Sequence, residues 1–381
     1  MNLVVTGGGT GGHIYPAMAI ARYFKRVPGT RIVFIGSTRG PEGEAAQGAG
    51  LQFVGLELSG VAGKNPIAAT KAMARFSRAT LECRKMFKAQ RPDCVIGTGG
   101  YASAPACFAA AWTGIPFILH DLNFRPGLVT RVLSRKAAAV SIAFEGTIPL
   151  LKKGARAVVT GVPVREEIEE LAVDDSRDRA RVKALEFFGL KTRRKTMLVF
   201  GGSQGAQAIN NAAWSALEKR ENDPGMQVLH ITGKAGFDQP RREAAQGRGA
   251  EGIFYRSLPY CDRMDLAYAA ADLAVTRAGA GTIAELAAAA LPAVLVPYPY
   301  ASAHQEENAR EHARGGGAAV ALQEGDSADG ALMEAFRLLE DTERLSGMRE
   351  ALKAGGRHGG TEGIAALVEE LTLRQVRDNK P

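Results

Sequence analysis

Cysteine is scarce in this chain of 381 residues: Cys83, Cys94, Cys107 and Cys261 form no C-x-x-C pair and no metal-ligand spacing. A disulfide framework and a cysteine-based metal site are therefore not indicated, and free thiols in a reducing compartment are expected. No D-x-D between apolar residues and no H-E-x-x-H occurs either, so no metal site is expected. A long apolar run is also missing. Residues 94–119 carry no charge, but Gly97, Gly99, Gly100, Pro105, Gly114 and Pro116 divide them into strand, loop, helix and strand, which excludes a membrane span there. Asn2-Leu-Val-Val-Thr6 reads directly as a strand with no basic segment before it, so no signal peptide is expected. The chain also has no acidic surplus. Its net charge is +8 and its pI near 9.3, which favours phosphates, anionic lipid surfaces or nucleic acid as partners. Nucleic acid is not expected, because no helix-turn-helix, zinc-finger or RNA-recognition pattern is present and no basic segment is interleaved with aromatics.

What the chain has in excess is glycine. Its 45 glycines cluster where strands hand over to helices, as in phosphate loops and tight turns. The length suits two domains. Short β-branched runs alternate with amphipathic stretches, the grammar of a parallel sheet wrapped by helices. Strands are expected at 3–6, 31–35, 52–56, 93–97, 117–120, 138–142 and 157–160, then again at 196–200, 227–231, 252–255, 273–276 and 293–297. Helices near 328–339, 343–354 and 361–374 close the chain. Gly161-Val-Pro-Val-Arg165 reads as the linker. The fold class is α/β: two Rossmann-like, doubly wound parallel-sheet domains with a cleft facing the carboxyl ends of both sheets, where ligands of such sheets bind.

Five strand-end motifs carry the candidate chemistry. Gly7-Gly-Gly-Thr-Gly-Gly-His13 follows the first strand and opens a helix, and a helix start offers N–H groups to an anion. It contains G-x-G-x-x-G, but the second strand ends Phe34-Ile-Gly-Ser37 without the acid that a nicotinamide dinucleotide's ribose requires. Gly97-Thr-Gly-Gly-Tyr-Ala-Ser103 is a further loop on the same sheet edge, either approaching a ligand or packing a helix onto the sheet. Gly201-Gly-Ser-Gln-Gly-Ala206 suits a diphosphate, and it lacks the Lys of a nucleotide-hydrolysing loop. Thr276-Arg-Ala-Gly-Ala-Gly-Thr-Ile-Ala-Glu285 places a carboxylate near a helix start, suited either to a ribose diol or to the helix dipole. Pro297-Tyr-Pro-Tyr-Ala-Ser-Ala-His-Gln-Glu-Glu-Asn308 sets His304, Gln305 and Asn308 at helical spacing, for sugar hydroxyls or for solvent.

Together these motifs resemble the MurG family of bacterial glycosyltransferases. The resemblance spans essentially the whole chain: Gly8–His13, Gly99–Tyr101, His120-Asp-Leu-Asn123, Gly161–Arg165, Gly201–Gly205, Thr276–Glu285 and His304–Asn308 stand in the family's order. Asp121 replaces the usual Glu and Val162 the usual Asn. The family implies a GT-B architecture, no cofactor, metal independence and inversion at the anomeric carbon, with helix N-termini stabilising the leaving diphosphate. UDP-N-acetylglucosamine is the implied donor. The implied acceptor is the 4-hydroxyl of undecaprenyl-pyrophosphoryl-MurNAc-pentapeptide (lipid I), and the product is lipid II. By matching motif the donor site comprises Thr10, Gly11, Gly12, Asn123, Arg165, Ser203, Cys261, Ala280, Gly281, Thr282, Ile283, Ala284, Glu285 and Gln305, with His304 beside it. Cys261 lies in Pro259-Tyr-Cys-Asp-Arg-Met264, similar to the family's uracil-contacting segment. Residues 1–162, joined by a final helix at about 361–381, form the acceptor and membrane half, and 163–360 the donor half. Another GT-B sugar transferase, a non-hydrolysing sugar-nucleotide epimerase or a non-catalytic nucleotide-binding module are the competing readings.

His13 is the candidate base for the attacking hydroxyl. Its ordinary pKa lies near ~6.5 and the helix start favours its neutral form. Asp121 is either a rival base or the group that orients His13, and His13 itself is otherwise a helix cap or an acceptor contact. Residues 67–88 read as a basic amphipathic helix with Lys71, Arg75, Arg78, Arg84, Lys85 and Lys88 on its polar side, while Ile67, Met73, Phe76, Leu81, Met86 and Phe87 supply apolar area to which Trp112 is a candidate addition. Such a helix either lies on an anionic membrane surface or packs into the core with a solvated face. With a lipid-linked acceptor, the expected location is the cytoplasmic face of the bacterial inner membrane.

Overall fold

A computed structural model describes the chain except residues 10, 59–65, 203–204, 220–222, 235, 237–251, 300–303, 322–327, 356–358 and 379–381. Thr10 and Ser203 therefore lie outside the described residues, as does the side chain of Ile67. The chain forms two compact units, Met1–Arg165 with Gly359–Pro381, and Glu166–His358.

The first unit is a seven-stranded, all-parallel sheet: β1 (Asn2–Thr6), β2 (Arg31–Ser37), β3 (Gln52–Leu56), β4 (Cys94–Gly97), β5 (Phe117–Asp121), β6 (Ala139–Ile142) and β7 (Ala157–Val159), in spatial order β3-β2-β1-β4-β5-β6-β7. The order reverses between β1 and β4. Alternation along each strand sends side chains to opposite faces. Leu3, Val5, Ile32, Phe34, Cys94, Ile96 and Ile118 pack under helix Gly11–Lys25 in one core. Val4, Val33, Ile35, Val95, Phe117 and Leu119 pack into a second core beneath helices Pro66–Gln90 and Ala104–Thr113. Strands buried on both faces read as near-continuous apolar runs, which is why they were visible in the sequence. The last helix, Gly360–Asp378, returns to this unit and buries Ile364, Leu367, Val368 and Leu371 in the first core. Its start lies so close to the linker that a Cβ on Gly360 would overlap the Val162 backbone.

Helix Pro66–Gln90 divides its apolar residues. Phe87 is core, Met86 is half-buried against that core, and Phe76 packs edge-on to Phe108 at 5.6 Å, so these three do not face solvent as an amphipathic surface helix requires. Met73, Leu81 and Trp112 remain 54%, 49% and 59% exposed, and among the described side chains of that set only these continue as candidates for a membrane-facing surface.

The second unit carries β8 (Lys195–Phe200), β9 (Met226–Ile231), β10 (Phe254–Leu258), β11 (Leu273–Thr276), β12 (Ala293–Leu295) and β13 (Ala318–Val320), all parallel, in order β10-β9-β8-β11-β12-β13. It reverses between β8 and β11, as the first sheet does between β1 and β4. Three strands differ from expectation. β10 begins two residues later and runs to Leu258, in register with β9 through Leu258↔Ile231. β12 stops before Pro297, which has no N–H for the ladder. β13 was not visible, because three residues rich in Ala after Gly315-Gly-Gly317 carry little strand preference. On one face helix Asp174–Phe188 is clamped to the sheet's entry edge by Arg177, whose buried guanidinium donates to Ala271 O and Ala289 O at 2.8 Å each.

Each unit also buries a neutral histidine. In the second, Trp214 Nε1 donates to the Tyr255 hydroxyl (3.2 Å), which lies 2.9 Å from His230 Nδ1. His230 Nε2 lies 3.0 Å from Asn210 Oδ1, and Asn210 Nδ2 donates to Thr232 O at 2.9 Å. Asn210 thus presents its oxygen, so His230 carries its proton on Nε2 and accepts from Tyr255. In the first unit, Thr160 donates to Gly161 O (3.0 Å) and so accepts from Ser141 (2.6 Å), which accepts from His120 Nδ1 (2.8 Å). Burial holds both imidazoles at about 3. The unfolded chain protonates them near ~6.5, so their contribution to stability is complete above that value and is lost as pH falls toward 3. Between pH 7 and 5 each should remove about 2 kcal/mol of unfolding free energy. Denaturant titrations across this range should show the decline, and His230→Gln should flatten it by roughly half.

Candidate functional site: the carboxyl edges of the two sheets

In the first unit the reversal brings the ends of β1 and β4 side by side. Thr98 ties them: its N–H donates to Thr6 O at 2.9 Å and its hydroxyl to His13 O at 2.7 Å. The two glycine loops then cross with no room for side chains. A Cβ on Gly7 would overlap Thr98 Oγ1, and one on Gly100, at φ +75°, would fall on the Gly8 carbonyl oxygen. Gly99, at φ +98°, passes His13 in the same way. Gly99 and Gly100 let one loop pack against the other, a role that neither reading of this segment named.

His13 is the third residue of helix Gly11–Lys25, and Gly11 and Gly12 form its first positions. Its Nδ1 lies 2.9 Å from Thr98 O. A carbonyl only accepts, so in the neutral ring the proton sits on Nδ1 and Nε2 holds the lone pair. Burial is the chief influence on His13 and lowers its pKa; the Thr98 carbonyl and the charge of Asp121 act weakly the other way. The ring is therefore neutral at pH 7, with Nε2 as its basic atom.

Asp121, the last residue of β5, is 5% exposed. It accepts from Gly127 N (2.8 Å), from Asn123 N (3.3 Å) and from the Thr130 hydroxyl. Burial raises its pKa and these bonds oppose the rise. The carboxylate holds its own loop, and its influence on His13 is through charge. The group that orients His13 is the Thr98 backbone. Asn123 is half-buried in that loop, and Arg165 lies over the ring of Tyr15, 5.3 Å from its centre.

Glu42 was missed in the sequence. It is fully buried after β2, and its Oε1 accepts from Gly9 N at 2.6 Å. Cβ atoms on Gly8, Gly36 or Gly40 would overlap it. The second strand does lack a terminal acid, and the acid that reaches the loop from beyond it is bound to backbone. Only the glycines at 36 and 40 around Pro41-Glu42 hinted at this.

In the second unit, Gly202 (φ +90°) and Gly205 (φ +77°) shape the turn between β8 and helix Gln207–Lys219. Gly205 touches the Thr232 carbonyl, below which the His230 network sits. Beside it, β11 leads to helix Ala280–Ala288, whose N-cap, Gly279, has no side chain to occupy the first N–H groups. Ala280 and Ile283 are buried; Gly281, Thr282 and Ala284 are half-buried, so this stretch offers a ligand mainly backbone. Glu285 accepts from the Tyr268 hydroxyl at 2.8 Å. Cys261 is half-buried after β10. His304 and Gln305 begin helix His304–Arg314, and Gln305 Oε1 accepts from Tyr298 N at 2.9 Å. Arg277, 9% exposed, steadies that segment by donating to Val296 O (3.2 Å) and Pro297 O (3.3 Å) beneath the Tyr298 ring.

Residues 3–142 match the Glycosyltransferase family 28 N-terminal domain, and residues 196–354 the Glycosyltransferase family 28 C-terminal domain. The UDP-N-acetylglucosamine–N-acetylmuramyl-(pentapeptide) pyrophosphoryl-undecaprenol N-acetylglucosamine transferase of Desulforamulus reducens is 39% identical, across 98% of this chain and 100% of that protein. The protein of the same name from Moorella thermoacetica is 37% identical over 97% and 98%. Among solved structures, Acinetobacter baumannii MurG is similar with a TM-score of 0.73 and 27% identity, over 97% of this chain and 99% of that one. This gives the GT-B class expected from the sequence. A Neisseria meningitidis UDP-GlcNAc 2-epimerase shares the fold at a TM-score of 0.67 and 14% identity, over 97% and 99%.

The loop crossing predicts a graded response to alanine. Gly100→Ala should cost about 1–3 kcal/mol of unfolding free energy, from strained φ and overlap together. Gly114→Ala, with similar φ but open space around its Cβ, should cost less. Urea unfolding of the two variants measures the difference.

Proposed function

Because the chain belongs to glycosyltransferase family 28, in its MurG branch, we propose that it moves N-acetylglucosamine from UDP-N-acetylglucosamine to lipid I, with lipid II as product. The observation that carries this reading is full-length similarity to transferases of that name, at 39% and 37% identity. The second unit takes the donor. Glu285 accepts from the ribose diol, the Cys261 segment faces the uracil, the start of helix Ala280–Ala288 and the Gly201–Gly205 turn receive the diphosphate, and His304 and Gln305 read the sugar. A helix N-terminus stabilises the charge that develops on the leaving UDP.

The first unit takes the acceptor. The 4-hydroxyl of the MurNAc residue attacks the anomeric carbon of N-acetylglucosamine, the bond from that carbon to the UDP oxygen breaks, and the configuration inverts. The hydroxyl proton passes to His13 Nε2. The Thr98 carbonyl keeps Nε2 as the accepting atom, and the nearby Asp121 carboxylate stabilises the imidazolium through charge. Gly11 and Gly12 at the same helix start, with Asn123 and Arg165, belong by family motif to the donor set.

The lipid-linked acceptor calls for work at a membrane surface, at the cytoplasmic face of the inner membrane. No described helix is long and apolar enough to cross a membrane. Met73, Leu81 and Trp112 are exposed, and Lys71, Lys85 and Lys88 stand exposed on the same long helix as Met73 and Leu81. This supports peripheral binding to an anionic leaflet.

UDP release should depend on lipid I; release without it would favour hydrolysis, and conversion to another UDP-sugar without UDP release would favour epimerisation. His13→Ala should lower kcat about 10²–10⁴-fold with UDP affinity retained. A near-normal kcat with a raised acceptor KM would make His13 an acceptor contact. In flotation at low salt, recovery should be higher with anionic than with neutral vesicles, and Leu81→Glu with Trp112→Glu should lower it. Equal recovery with both vesicle types would remove the electrostatic part of the reading.

A further inference from the structure

Tyr268 is among the largest fully buried side chains of the protein, 1% exposed, on helix Met264–Ala270. Its ring lies 6.1 Å from that of Phe200, the last residue of β8, and its hydroxyl donates to Glu285 Oε2 at 2.8 Å. A buried phenol hydroxyl requires a polar partner, and here the partner is the half-buried carboxylate at the nucleotide edge. We propose that Tyr268 is a positioning residue for the recognition of ribose: it fixes the carboxylate of Glu285 so that the diol of a uridine nucleotide meets two correctly aimed acceptors. This rests on the reading of Glu285 as the ribose-binding group.

The argument is one of lone pairs and freedom of rotation. A carboxylate has about four acceptor positions. The bond from Tyr268 occupies one of them, on Oε2. Glu285 is the sixth residue of its helix, and a long flexible side chain loses rotamer entropy when it is ordered by a ligand. A charge-assisted bond from a rigid, buried ring orders it in advance, so the ligand does not bear that cost. The ring itself is held by burial beside Phe200, which fixes where its hydroxyl oxygen lies. The Pro259–Met264 segment leads into the same helix, which joins the elements proposed to face the base and the ribose through one buried side chain.

Tyr268→Phe keeps the ring and removes the bond. Calorimetry with UDP and with 2′-deoxy-UDP separates positioning from packing. Tyr268→Phe should weaken UDP about tenfold, leave 2′-deoxy-UDP nearly unchanged, and so shrink the preference for the ribonucleotide. Glu285→Ala should abolish that preference, and adding Tyr268→Phe to it should cause no further loss. Equal weakening of both nucleotides by Tyr268→Phe, or no weakening of either, overturns the positioning role. If Glu285→Ala keeps the full preference for UDP, the ribose reading of Glu285 fails, and the proposal fails with it. If Glu285→Ala loses the preference and Tyr268→Phe keeps it, the proposal alone fails.

Discussion

The crossing of two glycine loops over the carboxyl ends of β1 and β4 is the constraint on which the functional edge of the first unit depends. Parallel strands with a reversal of order leave these two ends adjacent, and both loops must leave the sheet through the same space. Thr98 resolves the conflict by hydrogen bonding. It closes the ladder with Thr6, holds the backbone of His13 through its hydroxyl, and fixes the ring of His13 through its carbonyl. Side chains on the glycines around it would collide with the Thr98 hydroxyl, the His13 ring or the Gly8 carbonyl. Tautomer, position and pKa of His13 thus follow from how two loops share one sheet edge.

Beneath the functional edges both units use the same device, a neutral imidazole in a directed hydrogen-bond chain. His230 links helix Gln207–Lys219 to the end of β9 under the Gly201–Gly205 turn, and His120 links β5 through Ser141 and Thr160 to the linker at Gly161. His230 is bonded through both ring nitrogens, His120 through Nδ1, and buried bonds of fixed direction favour one arrangement. Loops made of glycine have little rigidity of their own, and these networks supply it from below. Glu42 and Tyr268 act in the same manner, one on the Gly9 amide and the other on Glu285.

Much of this was legible in the chain. The inner strands of both sheets are buried on two faces and stood out as apolar runs, and many strand-to-helix handovers carried glycine. His13, Asp121, Gly11, Gly12 and Gln305 fall on strand ends or helix starts, and Glu285 in the second turn of its helix, because those positions are local in sequence. Phe76, Met86 and Phe87 were grouped with Met73 and Leu81 by helical spacing, yet they pack onto helix Ala104–Thr113 and the core, a neighbour that periodicity does not reveal. β13 escaped because its three residues have no distinctive pattern, and pair with β12 only because that edge is available.

The sequence by itself determined the alternation of strand, glycine turn and helix, the double occurrence of that unit, and the family, because each of these is written in neighbouring residues. Tertiary structure decided which groups meet. Thr98 orients His13 across 85 residues, Glu42 reaches Gly9 across 33, and Tyr268 reaches Glu285 across 17. None of these pairings has a local signature, since a hydrogen bond depends on distance and direction in space, and the sheet order that supplies both arises only when the strands assemble.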